Sequence, residues 1–174
     1  MTTPPPVVLP GQLGTADAFN RGFLIGRVVF YATRAAAQSI TTGAPDPANA
    51  LAWDTVDLNL LTGWDAGAAT RWTCPLAGWW TLAGGVSFNA STSGTIRESA
   101  WYRNGSLVTG GRSRPVVSSA ITGASLTVAV RTIPILLAVG DYIQLVPGQD
   151  TGGALNTATG SAVPFMSATY SGPA

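Results

Sequence analysis

Along this chain apolar and polar residues alternate with a period of two in short runs, and clusters of Gly, Pro, Asn, Asp and Ser separate the runs. Val28-Val29-Phe30-Tyr31-Ala32-Thr33 opens the series. A loop at 42–49 leads into 51–58, where Leu51, Trp53 and Thr55 alternate with Ala52, Asp54 and Val56. After a second loop at 63–69, Arg71-Trp72-Thr73-Cys74-Pro75-Leu76-Ala77-Gly78-Trp79-Trp80-Thr81 reads as a strand, a bend and another strand. Trp72 and Cys74 share a parity, Pro75 and Gly78 punctuate, and Trp80, Leu82, Val86 and Phe88 alternate with Thr81, Ala83, Gly85 and Ser87. That alternation buries one face of a strand running to about Phe88.

The second half has the same texture. Ala100-Trp101-Tyr102-Arg103, Asn104-Gly105 and Ser106-Leu107-Val108 form a hairpin, because Asn-Gly supplies the positive φ angles of a type I′ turn. The polar segment 109–115 reads as an exposed loop. Leu126, Val128 and Val130 alternate with Thr127, Ala129 and Arg131; residues 135–139 reach a Gly140-Asp141 turn; residues 142–146 continue as a strand. Residues 150–153 open a loop, and 165–170 form the closing strand. The sum is roughly eight or nine short strands and almost no helical periodicity, the pattern of an antiparallel β-sandwich or jelly roll.

Before this β region, Pro4, Pro5, Pro6 and Pro10 favour an extended path that cannot enter a sheet interior. Thr15 as N-cap, Asp17 in the first turn, and Asn20 or Gly22 as a stop predict one short helical turn. The organisation expected is an arm over residues 1–26 and one β domain over 27–174, long enough to bury roughly 70% of its unfolded surface.

Composition sharpens this picture. Charged residues make up 10% of the chain, against about 25% in a typical soluble domain, so much of the surface is expected to be covered by partners. The nine basic residues are all arginine, the net charge is +1, and no basic block appears; neither nucleic acid nor an anionic membrane finds its electrostatic footprint. The start of the chain lacks the pattern of a secretory signal, and 133–139 is too short an apolar run to cross a bilayer, so a soluble protein not exported by that route is expected. Cys74, the sole cysteine, reads as a buried thiol.

Two resemblances add to this. The segment Trp72-Thr73-Cys74-Pro75 through Gly78-Trp79-Trp80 resembles the central motif of C1q and tumour-necrosis-factor-like domains. Tyr102-Arg103-Asn104-Gly105 and Leu137-x-x-Gly140-Asp141-Tyr142-Ile143 look like two further motifs of that family in the same order; the ending at 165–172 matches loosely, with Ala168 where a glycine is expected. What this resemblance implies is a ten-stranded jelly roll, assembled as a homotrimer and acting as a binding or structural module without catalysis. Trp72, Cys74, Pro75, Gly78 and Trp80 are then its core motif, and Trp79, of opposite parity to Trp80, joins Tyr31 as candidate for the trimer interface. The opening, with Gly11, Leu13, Thr15, Ala16, Phe19 and Asn20, is similar to openings that recur in bacteriophage tail and other virion proteins, although Gly14 displaces the register by one. That similarity implies a virion structural protein on the particle exterior, decorating the capsid or forming part of the tail. Pro4, Pro5, Pro6, Leu13 and Phe19 would form its tether to other virion proteins.

Candidate chemistry is sparse. Without histidine there is no Ser-His or Cys-His pair and no usual zinc site, and Glu98, the single glutamate, has no visible carboxylate partner. No enzyme activity, cofactor or metal is expected; Asp54, Asp57 and Asp65, or Asp141 and Asp150, lack the spacing of a calcium loop. A receptor-binding knob is the alternative, with loops 109–115 and 149–154 and Trp64, set between Gly63 and Asp65, facing a host-surface glycan or protein. A cellular C1q-like binding module is the second alternative.

Overall fold

The structure, a computed structural model, describes residues 22–117 and 124–174. Among these it contains twelve strands: β1 (Val28–Thr33), β2 (Ser39–Ile40), β3 (Thr55–Asn59), β4 (Trp72–Thr73), β5 (Gly78–Phe88), β6 (Arg97–Arg103), β7 (Ser106–Ser113), β8 (Leu126–Ala129), β9 (Ile133–Leu137), β10 (Tyr142–Gln149), β11 (Leu155–Asn156) and β12 (Phe165–Gly172). The count exceeds the expected eight or nine because β2, β4 and β11 are two-residue pairings with no alternation to read. The first sheet runs β3-β1-β12-β5-β8, with β9 following β8 along the same edge of β5; the second runs β4-β10-β6-β7. All the pairings of these two sheets are antiparallel.

The core lies between the sheets. Trp80, Leu82, Val86 and Phe88 on β5 are fully buried, as are Ile143 and Leu145 on β10. A row of rings ties the layers together: Trp72 of the second sheet packs between Phe30 and Trp80 of the first, at centroid distances of 6.1 and 4.9 Å, and Trp80 meets Tyr170 at 5.1 Å. Each such pair contributes about 0.5–1.5 kcal/mol beyond its buried area. Trp101 on β6 adds a polar link, its Nε1 donating to the Arg131 carbonyl between β8 and β9 at 2.9 Å.

Three segments differ from the sequence expectation. Residues 51–54 are not strand: β3 begins at Thr55, while Leu51 donates to the Leu145 carbonyl and buries its side chain with that of Trp53. The expected loop at 109–115 is strand as far as Ser113, and Gln149 of the expected loop at 149–154 is the buried last residue of β10. The β7 deviation comes from its register. Tyr102 pairs Leu107 as the tight turn dictates, but Ala100 pairs Arg112, so residues 108–111 bulge opposite Trp101, with Gly110 at φ +76°. Glycine and polar residues in that bulge look like loop in the sequence. The helical turn expected from Thr15 lies outside the described residues; Gly22, one of its two expected stops, is itself helical together with 23 and 24.

Residues 41–50 form a strap across the outer face of the second sheet. Gly43 and Gln149 exchange backbone hydrogen bonds, Asp46 caps the turn Pro47–Asn49, and the Tyr102 hydroxyl donates to the Pro45 carbonyl at 2.7 Å. Beneath the strap Ala50, Ala100, Tyr102 and Val146 form a small second core. The close approach depends on Gly148, where a Cβ would sit 2.7 Å from Pro45 Cδ. Gly148→Ala is therefore expected to lift the strap and cost roughly 1–3 kcal/mol, as overpacking does; chemical denaturation measures the loss, and faster amide exchange confined to 43–50 locates it.

Candidate functional site

Three sequence motifs meet at one carboxylate. The Asp141 side chain accepts hydrogen bonds from Asn104 Nδ2 at 2.6 Å, Arg103 Nη2 at 2.6 Å and the Ala138 N–H at 2.7 Å. Its own carbonyl accepts the Cys74 N–H, and the Cys74 carbonyl accepts from Gly140. Asn104 and Gly105, at φ 51° and 77°, make the predicted hairpin turn, and the Asn104 side-chain oxygen accepts the Tyr142 N–H. Burial pushes the Asp141 carboxyl up, but the hydrogen bonds from Asn104, Ala138 and Arg103 outweigh it and hold the pKa below the ordinary carboxylate value.

From this anchor the chain turns through Pro75 into β5. The Cys74 thiol is buried, donates to the Leu76 carbonyl at 3.1 Å, and has its pKa pushed up by burial. That carbonyl also accepts Trp80 Nε1 at 3.0 Å, which fixes the indole at the start of the strand. Gly78 stands at φ +150°, where a Cβ would clash with the Gly172 carbonyl and lie 2.8 Å from the Tyr170 ring. Strand parity then divides the motif: Trp80 is fully buried, while Trp79 on the opposite face is 42% exposed.

Trp79 belongs to a wide, uncharged surface. Its cross-strand neighbour on β9 is Leu136, 43% exposed. The row continues through Thr81, Thr169 and Pro134, then through Ala83, Ser167, Tyr31 and Leu58, and ends at Gly85, Phe165, Thr33 and Ala129. None of these outward positions carries a charge. Tyr31 and Phe165 are half-buried within it. Sequence parity pointed to Trp79; Leu136 and Phe165 were missed, although each is out of phase with its buried neighbours, Leu137 and Met166.

The other candidates lie elsewhere. Trp64 is half-buried against the main core, with its Nε1 donating to the Ala69 carbonyl, and Trp53 and Trp101 are buried. Asp54 accepts the Ala35 and Ala36 N–H groups beside Arg34, and Asp65 caps the turn that follows it. Pro4, Pro5, Pro6, Leu13 and Phe19 lie outside the described residues. Glu98 pairs with two arginines, Arg112 and Arg114, rather than with a second carboxylate.

Solved structures share this architecture at low identity. The globular domain of zebrafish complement 1qA protein superposes with a TM-score of 0.56 at 10% identity, covering 83% of this chain and 97% of that one. Murine APRIL, in a crystal structure at pH 5.0, gives 0.59 at 14% identity, with 82% and 98% covered. Eiger TNF from S. frugiperda gives 0.54 at 10% identity, with 84% and 94% covered. The fold is a C1q/TNF-like jelly roll. No protein-family model and no curated protein matches the sequence.

Within this jelly roll the Asp141 clasp joins the hairpin, the Gly-Asp turn and the Cys74 bend, so its charge state bears on the fold. A carboxyl whose folded pKa is lowered stabilises the protein fully above its unfolded pKa, near 3.8, and that contribution is lost as pH falls through the folded value. Asp141→Ala is expected to cost about 2–3 kcal/mol at neutral pH and to flatten the fall in stability below about pH 4. Urea denaturation at a series of pH values checks both.

Proposed function

We propose that this chain is a non-enzymatic structural component of a bacteriophage particle: a homotrimeric β knob on the particle exterior, tethered to capsid or tail by an arm over residues 1–26. The observation that carries the assembly is the uncharged centre of the first sheet's outer face, with Asp57 and Arg131 at its margins. A surface of hydroxyl, small and apolar side chains with Trp79 and Leu136 exposed is costly to leave in water and is suited to burial against another protein. A three-fold arrangement engages two different patches of each subunit, which fits a face as broad as this one. The C1q/TNF-like motifs support the three-fold reading, and the virion-like opening and proline-rich start support the particle. Three arms on one knob would hold it by avidity where one arm alone binds weakly.

A solution mass of three chains is the expected result, and a monomer overturns the assembly. Trp79→Ser is expected to weaken self-association about thirtyfold while leaving monomer stability within about 0.5 kcal/mol; unchanged association would remove Trp79 from the interface. Deletion of residues 1–20 is expected to leave a knob of the same mass that no longer joins the particle. Retention of the truncated form would sink the tether.

A further inference from the structure

The second sheet presents a different surface. A cleft of about 320 Å³ opens between the strap, at Thr42, Gly43 and Ala44, and the end of β7, at Arg112 and Arg114. That size is at the lower end of small-molecule sites, which run from about 300 to 1,000 Å³, and suits a single sugar unit. The Glu98 side chain, only 4% exposed, pairs with Arg112 through Nε and Nη2 and with Arg114 through Nε at 3.1 Å. Two arginines against one glutamate leave one positive charge, +2 − 1 = +1, while Asp150, which also lines the cleft, is paired with the buried Arg97 behind it, outside the lining.

We infer that this cleft binds a carboxylate-bearing sugar, with Arg112 and Arg114 receiving the carboxylate. The second arginine is not needed for stability, because an ion pair to a guanidinium more than half exposed contributes only about 0–1 kcal/mol. Glu98 acts as a positioning residue: it fixes one edge of each guanidinium and leaves further N–H groups for a planar anion, the geometry in which arginine binds carboxylates bidentately. The β7 bulge supplies the arginines. Continued from the tight turn, the register would set Arg112 opposite Arg97, on the core-facing side; the shift sets it opposite Ala100, and so on the Glu98 side of the sheet. Asp150 Oδ2, met only by the Thr95 hydroxyl at 3.4 Å, supplies an acceptor for a sugar hydroxyl, and the single surplus charge matches a monoanion better than a phosphate dianion. No aromatic side chain lines the cleft, so charge and hydrogen bonds do the recognition.

This assignment is independent of the trimer and particle readings. The test titrates the full chain with methyl glucuronide and with methyl N-acetylneuraminate glycoside as free acids, beside neutral methyl glucoside and inorganic phosphate, by calorimetry or saturation-transfer NMR. One acidic sugar is expected to bind at millimolar concentration, weakened by added salt, and Arg112→Gln and Arg114→Gln are each expected to weaken it about tenfold or more. Arg114 is more than half exposed, so its variant keeps the fold, which an unchanged melting temperature verifies. Failure of both acidic sugars to bind, equal binding of the glucoside or of phosphate, or full retention of affinity in both variants overturns the assignment.

Discussion

A carboxylate with little contact with water holds this sandwich together at one end. Asp141, its side chain 11% exposed, takes a backbone N–H from its own turn, an amide from the β6–β7 hairpin and a guanidinium from β6, while the same residue's carbonyl holds the bend that leads into β5. The ring row Phe30-Trp72-Trp80-Tyr170 depends on that bend, because Trp72 precedes it and Trp80 follows it. Local turn chemistry, strand pairing and aromatic packing are thus coupled through three hydrogen bonds to one side chain.

Much of this was legible because it is local. Asn104-Gly105 and Gly140-Asp141 specify their turns through backbone preference alone, and the parity of Trp79 and Trp80 follows from the two-residue period of a strand. The strap was not legible: its contacts join Pro45 to Tyr102 and Gly148, residues far apart in the chain and unremarkable in composition. Glu98 looked solitary because its partners are carried to it by a bulge, and a shift of register leaves no mark in the hydrophobic pattern of Thr109-Gly110-Gly111. Trp64 illustrates the converse. A tryptophan between Gly and Asp looks exposed, yet Asn59 bonds its backbone on both sides, donating to its carbonyl and accepting its N–H, and the ring folds back onto the core.

Charge is divided between the two layers. Four of the five described ion pairs, Arg97–Asp150, Arg103–Asp141, Arg112–Glu98 and Arg114–Glu98, lie on or beside the second sheet. The outward positions of β1, β12 and β5 have none, and the first sheet's charges, Asp57 on β3, Arg131 between β8 and β9 and the Arg34–Asp54 pair, lie at its margins. In a chain with so few ionisable groups, this partition leaves the sandwich with one face whose centre is uncharged and another that is polar.

The β7 bulge has an evolutionary corollary. Because side chains alternate across a strand, the number of residues in 108–111 decides, by its parity alone, whether Arg112 and Arg114 point outward or inward. Loss or gain of one residue in this glycine-bearing stretch would therefore reverse the chemistry of the cleft in a single step, while the pairing of β6 with β10 and the packing beneath it stayed as they are. Specificity at this surface is encoded in a length, and lengths drift faster than cores.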